Sequence, residues 1–478
     1  MSRTTAAAVM AAVLSASSIT ASRVVSTADP ATPPPHVVYF LVDDLGYANV
    51  GYTAPEPKEP LTPYIDALAS SGLRLENYYT YKFCSPTRSS FISGRLPIHV
   101  NQQNHPPSSP GGGVPVNMTT IADKLQSVGY STHQVGKWHC GMSGLDRVPT
   151  SRGFNSSFGY LAGAEDHYTN LRDGHVDLWR DDSPAYGENN TDYATYMYTR
   201  EAMRILEAYN PAKRRGVHGD NSVALVDEQQ PGDQDSQPPP LFLYMAYQSV
   251  HAPLQVPSNW TDLYPNITYG PRKNCQAMIS AVDMSIGTIV DRLHAYDMYN
   301  NTLIIFSSDN GGPPDHANNY PLRGAKGDDF QGGVRVCAAL NGGFLPDSVR
   351  GTTLSTGLIH IADWYATLGG IAGYNGTDDP AAAASGLPPV RSFDELSLMR
   401  SCIAAVRDVM CSCSANTLGV LLCCTGGFNR SMALHHLGFF KRIFRAVPAH
   451  IHHALWHEAH RRCAHCRAPR PHGPAANR

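Results

Sequence analysis

An α/β fold built on a parallel sheet is predicted by three features of this sequence. Short, continuously apolar runs recur along it, helical patterns fill the intervals, and each run ends abruptly in polar residues. A strand buried on both faces reads as an unbroken apolar run, because neither face meets water. In open α/β sheets function collects beyond the carboxyl ends of the strands, which is where these polar residues fall.

The first run, from His36 to Val42, leads into Asp43-Asp44. Thr119 is the predicted cap of a helix carrying Ile121, Leu125 and Val128, with Gly129 after it. The next strand, Tyr130 to Val135, leads to Lys137 and His139. The stretch 210–240, rich in Asp, Gln, Gly and Pro, reads as a solvated insertion rather than a domain boundary. Leu241 to Tyr247 is a strand leading to His251-Ala252-Pro253. A helix from Ala277 to Leu293 places Met278, Val282, Ile286, Ile289 and Leu293 on one face. Finally, Thr302 to Ser308 leads into Asp309-Asn310-Gly311-Gly312. No internal repeat interrupts the series.

At 478 residues the chain is long enough for a large core. Its net charge of −3 gives no footprint for nucleic acid or an anionic membrane surface. Residues 1–22 have the layout of a secretory signal: Arg3, a modest apolar run through Leu14, then small residues. A disordered Ala-rich tail is the alternative. N-x-[ST] sequons begin at Asn117, Asn155, Asn189, Asn259, Asn266, Asn300, Asn375 and Asn429, against roughly three expected by chance. They favour passage through the secretory pathway, to an extracellular or lysosome-like lumen. No later run approaches the roughly 20 apolar residues of a membrane span. Only Cys84, Cys140, Cys275 and Cys337 precede residue 400, so the main body is no disulfide scaffold.

The candidate chemistry begins at Cys84-Ser85-Pro86-Thr87-Arg88, which opens an apparent helix ending in Gly94-Arg95. Read alone, Cys84 is a buried cysteine beside a helix cap. Asp43, Asp44, Asp309 and Asn310 are all-oxygen donors on two strand ends, a set suited to Ca²⁺ or Mg²⁺. Taken singly, an Asp pair after a strand is a cap or turn. Arg88, Lys137 and Lys326 supply cations where an anionic group would gain charge. Lys326 lies in a Gly-rich turn, and His139 and His251 are candidates for proton transfer near neutral pH.

The segment from Cys84 to Arg95 resembles the sulfatase motif, and the resemblance extends over roughly residues 36–375. Ten polar positions of a sulfatase site occur in order: Asp43, Asp44, Cys84, Arg88, Lys137, His139, His251, Asp309, Asn310 and Lys326. The strings Arg152-Gly153-Phe154, Phe158-Gly159-Tyr160, Glu165-Asp166-His167-Tyr168 and Ile359 to Trp364 are similar to the arylsulfatase B branch, which includes N-acetylgalactosamine-4-sulfatase. The resemblance implies an alkaline-phosphatase-like fold, a large mixed sheet sandwiched by helices, followed by a smaller C-terminal antiparallel domain. It also implies a sulfuric ester hydrolase of arylsulfatase type. Cys84 would be oxidised to Cα-formylglycine by a formylglycine-generating enzyme, and one Ca²⁺ would be held by Asp43, Asp44, Asp309, Asn310 and the side chain at 84. A hydroxyl of the hydrated aldehyde would attack sulfur. His251, alone or with Lys326, would protonate the leaving oxygen, and His139 would deprotonate the second hydroxyl to expel sulfate. The substrate implied is a sulfated carbohydrate or an aryl sulfate.

Gln331, Cys337 and Cys140 depart from the family's usual Glu, Pro and Leu, outside the ten positions. A larger departure begins near Val390. Seven cysteines crowd the last eighty residues, and from Arg430 onward nine Lys/Arg face one acid, Glu458. The usual C-terminal domain is therefore expected to be missing or replaced over 391–478, by mistranslated text from a retained intron or shifted frame. A genuine tail, a glycan-binding basic segment and a zinc site at Cys463-Ala464-His465-Cys466 are the alternatives. Two other functions compete with sulfate-ester hydrolysis. One is a phosphodiester or phosphonate hydrolase of the same fold; the other is an inactive or misfolded relative that binds sulfated glycans.

Overall fold

The computed structural model describes residues 33–56, 58–214 and 238–390. They belong to a unit spanning 1–399; the unit 400–478 lies outside the described residues, as do the signal-like segment, most of the polar insertion and the Cys/His/Arg-rich tail.

Ten strands form one mixed sheet. In chain order they are β1 (His36–Val42), β2 (Leu73–Leu75), β3 (Ser131–Lys137), β4 (Ser156–Tyr160), β5 (Trp179–Arg180), β6 (Ser183–Pro184), β7 (Leu241–Ala246), β8 (Thr302–Ser308), β9 (Ala338–Asn341) and β10 (Thr352–Leu354). Their spatial order is β10-β2-β9-β8-β1-β7-β3-β4-β5-β6. The five central strands, β8-β1-β7-β3-β4, run parallel; β9 and β5 flank them antiparallel.

Alternation along β1 divides the core into two layers. Val38, Phe40 and Val42 join Met197, Tyr198, Met278, Ile279, Val282 and Ile286 on one side, where α4 (Ala194–Leu206) and α5 (Gly270–Ala295) pack. Tyr39 faces the other way, 4.5 Å between ring centres from Phe91 and 6.2 Å from Trp364. These belong to α2 (Cys84–Ser93) and α6 (Trp364–Ala372). With both faces covered, β1, β7 and β8 are buried along nearly their whole length, as their unbroken apolar sequences require.

Register places the strand ends together. Val42 pairs with Ser308, so Asp43 and Asp309 emerge side by side, while Gly136 pairs with both Ala246 and Gly159. One boundary differs from the sequence reading. The helix α3 (Ile121–Ser127), which follows α1 (Pro63–Ser71), is capped by Thr120, not Thr119. Thr120 Oγ1 accepts from Asp123 N at 3.0 Å and Asp123 Oδ2 accepts from Thr120 N at 2.8 Å, the reciprocal box that a Thr-x-x-Asp spacing allows. Thr119 instead donates its hydroxyl to Asp379 Oδ1 at 2.6 Å.

Candidate active site

Helix α2 is unusual in having all ten of its residues buried, so it enters the molecule rather than lying on it. Cys84 is its first residue, and Gly94 ends it with a left-handed backbone (φ 65°). A Cβ at Gly94 would lie 2.6 Å from the Tyr365 ring, so both conformation and space require glycine there.

Cys84 Sγ donates to Asp43 Oδ1 at 3.4 Å, and Lys326 Nζ approaches the sulfur at 3.5 Å. Burial pushes the thiol far above its ordinary range, with the Asp43 charge adding to the effect. One turn on, Arg88 directs Nε and Nη2 to Asp309 Oδ2 at 3.0 and 2.8 Å, and Nη1 to the Lys137 carbonyl at 3.2 Å. Its Nη2 is also 3.7 Å from Asp43 Oδ2. Lys137, at the end of β3, reaches Asp43 Oδ2 at 2.5 Å, and Lys326 reaches Asp44 Oδ1 at 2.5 Å. Three buried carboxylates thus meet three cations.

They do not share the charge evenly. Burial would raise Asp43, but Lys137, His251, Arg88 and Lys326 hold it well below the usual carboxylate range. Burial and the like charge of Asp43 push Asp309 up to about 7 despite Arg88. Lys326 is raised, because Cys84, Asp44 and Asp43 outweigh the effect of burial.

The histidines occupy loops. His251 Nε2 is 3.8 Å from Asp44 Oδ2, and its Nδ1 donates to the Ala252 carbonyl at 2.7 Å. Burial lowers its pKa, partly offset by Asp43 and Asp44. His139 follows β3 with a left-handed backbone (φ 55°), as does Asp44 after β1 (φ 59°). Burial, then the charges of Lys137 and Arg88, hold His139 well below its usual pKa, so the ring is neutral at pH 7.

The ligand atoms of Asp43, Asp44, Cys84 and His251 lie within 4.8 Å of one another, and both Asp44 and Asp309 are buried. Asn310 Nδ2 donates to Asp44 Oδ1 at 2.8 Å, whereas Asn310 Oδ1 is buried without a hydrogen-bond donor. Carboxylates crowded beside an undonated amide oxygen fit a hard cation. His251, read from sequence as a proton-transfer group, stands closer to this cluster than an all-oxygen site required.

The sequence reading did not single out several residues around this centre. Ser85 Oγ donates to the His139 carbonyl at 2.8 Å, and a Cβ at Gly163 would lie 2.8 Å from His139 Cε1. His167 Nε2 donates to the His251 carbonyl at 3.0 Å, and Gln248 Nε2 donates to the Glu165 carbonyl at 2.6 Å. Ser85 and His167 lie within the strings that carry the family resemblance, the one signal that pointed toward them. The contacts themselves exist only in the folded chain.

The sequence profile of the Sulfatase family matches residues 35–374, well over half of the chain. Arylsulfatase J of Mus musculus is 39% identical over 345 residues, 70% of this chain and 52% of the relative. N-acetylgalactosamine-6-sulfatase of Homo sapiens is 27% identical over 377 residues, covering 75% and 66%. The chain therefore spans about half the length of the first relative and about two thirds of the second. Among solved structures, Ps i-CgsB in complex with k-i-k-neocarrahexaose superposes with a TM-score of 0.63 at 28% identity, covering 76% of this chain and 75% of that one. With a match of that extent laid over this sheet and these strand ends, the chain belongs to the sulfatase family.

Proposed function

We propose that the protein hydrolyses sulfate esters, on sulfated carbohydrates or aryl sulfates, with Cys84 converted to Cα-formylglycine and one Ca²⁺ held by Asp43, Asp44, Asp309, Asn310 and the side chain at 84. The setting of Cys84 carries this reading. As a thiol it is buried and kept protonated, so it is a poor nucleophile as it stands, yet Asp43 and Lys326 both point at it. Position 84 has the surroundings of a reactive group without the reactivity of a thiolate, which is what modification would supply. Support for a carbohydrate substrate comes from Ps i-CgsB, whose structure holds k-i-k-neocarrahexaose.

Charge decides what the pocket would bind. Asp43, Asp44 and Asp309 balance Arg88, Lys137 and Lys326, so a divalent cation would leave the centre net positive toward an anionic sulfate ester. When bound, that ion would neutralise charge on the sulfate oxygens. The hydrated aldehyde would supply one hydroxyl to bond sulfur, its proton passing to Asp43 Oδ1, which accepts from the side chain at 84, and a second hydroxyl to drive release. His251, its Nδ1–H held by the Ala252 carbonyl, would act as the imidazolium that the Asp43 and Asp44 charges favour, giving its Nε2 proton to the oxygen whose bond to sulfur breaks. His139, neutral at pH 7, would take the proton of the second hydroxyl as the aldehyde re-forms and sulfate departs. Lys326 and Lys137 would hold the sulfate charge throughout.

This reading includes conversion by a formylglycine-generating enzyme and passage through the secretory pathway to an extracellular or lysosome-like lumen, as the sequons indicate. No helix among the described residues is long and apolar enough to cross a membrane. Cys84→Ser tests the mechanism. Serine has one hydroxyl, so steady turnover of 4-nitrophenyl sulfate should vanish while one sulfate stays bonded to the side chain at position 84, detected by mass spectrometry. Normal turnover by that variant would sink the proposal.

A further inference from the structure

Asn101 has no place in the sequence motif or in the proposed chemistry, yet it is 5% exposed and its hydrogen bonds lead directly to His139. It lies beyond the end of α2, in a turn where its Oδ1 accepts from His105 N at 2.8 Å. Its Nδ2 donates to Ser85 Oγ at 2.6 Å, and Ser85 Oγ donates to the His139 carbonyl at 2.8 Å. A hydroxyl has one proton to give. Because the amide of Asn101 donates to Ser85, the Ser85 proton is committed to His139. Asn101 therefore sets the direction of the relay as well as its position.

His139 has little else to fix it. Its Nδ1 is buried without a partner, so no hydrogen bond at that nitrogen orients the ring. The ring is placed instead by its backbone, held by His139 N to the Leu161 carbonyl at 3.2 Å and by Ser85 on the carbonyl, and lies over Gly163 where a Cβ would come within 2.8 Å of Cε1. Losing the Ser85 bond would free the peptide at a residue already in a left-handed conformation.

We propose that Asn101 is a positioning residue for His139, acting through Ser85, and so governs release of sulfate from residue 84 rather than its transfer. The second clause rests on the reading in which His139 acts at release. The first does not.

Asn101→Asp tests the direction of the relay at nearly constant volume. The carboxylate still accepts from His105 N but cannot donate to Ser85, so the Ser85 hydroxyl turns to the carboxylate and the His139 carbonyl loses its donor. Ser85→Ala removes the same donor without adding a buried charge, and serves if the first variant does not fold. Mass spectrometry of the peptide containing residue 84 establishes that conversion is equal in the proteins compared. With 4-nitrophenyl sulfate, kcat should fall about 10–100-fold and KM should fall with it, leaving kcat/KM near the parent's, with a burst of nitrophenol in the first turnover. A parallel fall of kcat/KM without a burst, or no change in either, would overturn the role in release. Crystal structures of the variants give a readout independent of turnover: His139 should be displaced from its place over Gly163. An unmoved His139 overturns the positioning claim. A converted parent that does not cleave sulfate esters overturns the proposed function, while the position of His139 in the variants still decides the role of Asn101.

Discussion

Two buried Arg–Asp pairs, one within helix α2 and one just past its end, behave in opposite ways. Arg88 pairs with Asp309 at 2.8 Å and Arg95 with Asp379 at 2.7 Å, with all four side chains at most 2% exposed. Asp379 stands alone among donors: Thr119 N and Oγ1, Ala382 N and Arg95 all give to it, and together they hold its carboxyl below the usual range against the effect of burial. Asp309 accepts from Arg88 and from Asp44 N at 3.2 Å but is crowded by the Asp43 charge, and it is pushed up to about 7. Arg95 also closes the Ser93 and Pro388 carbonyls, joining the end of α2 to the last described residues. One pair is saturated and ties the chain together. The other is left electrostatically frustrated, which is how a site that must still bind something differs from one that is finished.

Arg88→Ala should draw this distinction most sharply. It leaves Asp43 and Asp309 without their guanidinium, so kcat should drop about 10²–10³-fold, alongside a stability loss of roughly 3–5 kcal/mol. Kinetics below the melting temperature, paired with urea unfolding, separate the two effects, and unchanged kcat would remove Arg88 from the site. Arg95→Ala should cost less, roughly 1–3 kcal/mol of stability, because Asp379 loses its counter-charge but keeps the Thr119 and Ala382 donors, while kcat of the folded fraction stays within a few-fold. A collapse of kcat below the melting temperature would erase the contrast between the pairs.

Calcium sharpens the comparison from the other side. Ligand at 100 times Kd stabilises the folded state by about 2.7 kcal/mol, so titrating Ca²⁺ into chelator-treated protein should raise Tm. Asp309→Ala should abolish that rise, and Arg95→Ala should keep it. An equal Ca²⁺ response in both variants would count against the proposed ligand set.

The smallest expected effect is on acid stability. Asp379 is depressed in the folded state, so the stability it contributes is present above the unfolded carboxyl value of about 3.9 and is lost as pH falls through its lower folded value. Across that window the parent should lose stability faster than Asp379→Asn, by at most roughly 1.4 kcal/mol per pH unit. Parallel acid limbs in thermal melts would show that Asp379 contributes nothing to them.

The apolar runs marked β1 and β8 to the residue, because strands buried on both faces carry their boundaries in the sequence. Helix α5 begins at Gly270, seven residues before the expected start at Ala277, since Arg272, Lys273 and Asn274 hide its first turns. Strand β4 was legible only as part of a family-like string: Ser156-Ser157-Phe158-Gly159-Tyr160 has neither a long apolar run nor clean alternation. At the site, the residues on strand ends and in the Cys84 motif were nameable because sheet topology forces such ends together. Contacts made by chain distant in sequence were not. Arg95 and Asp379 are 284 residues apart, and nothing in the spacing of Asn101 points to Ser85 or His139.

The left-handed backbones of Asp44 and His139 have a consequence for engineering. Both are non-glycine residues in a conformation that glycine adopts without steric cost, although Asp and His tolerate it better than most. Selection for heat resistance alone would therefore favour glycine or asparagine at 44 and 139, discarding a carboxylate of the proposed calcium set and the proposed base of the release step. A library screened for thermal tolerance should be counter-screened for turnover from its first round, because at these two positions the more robust molecule is expected to be the inert one.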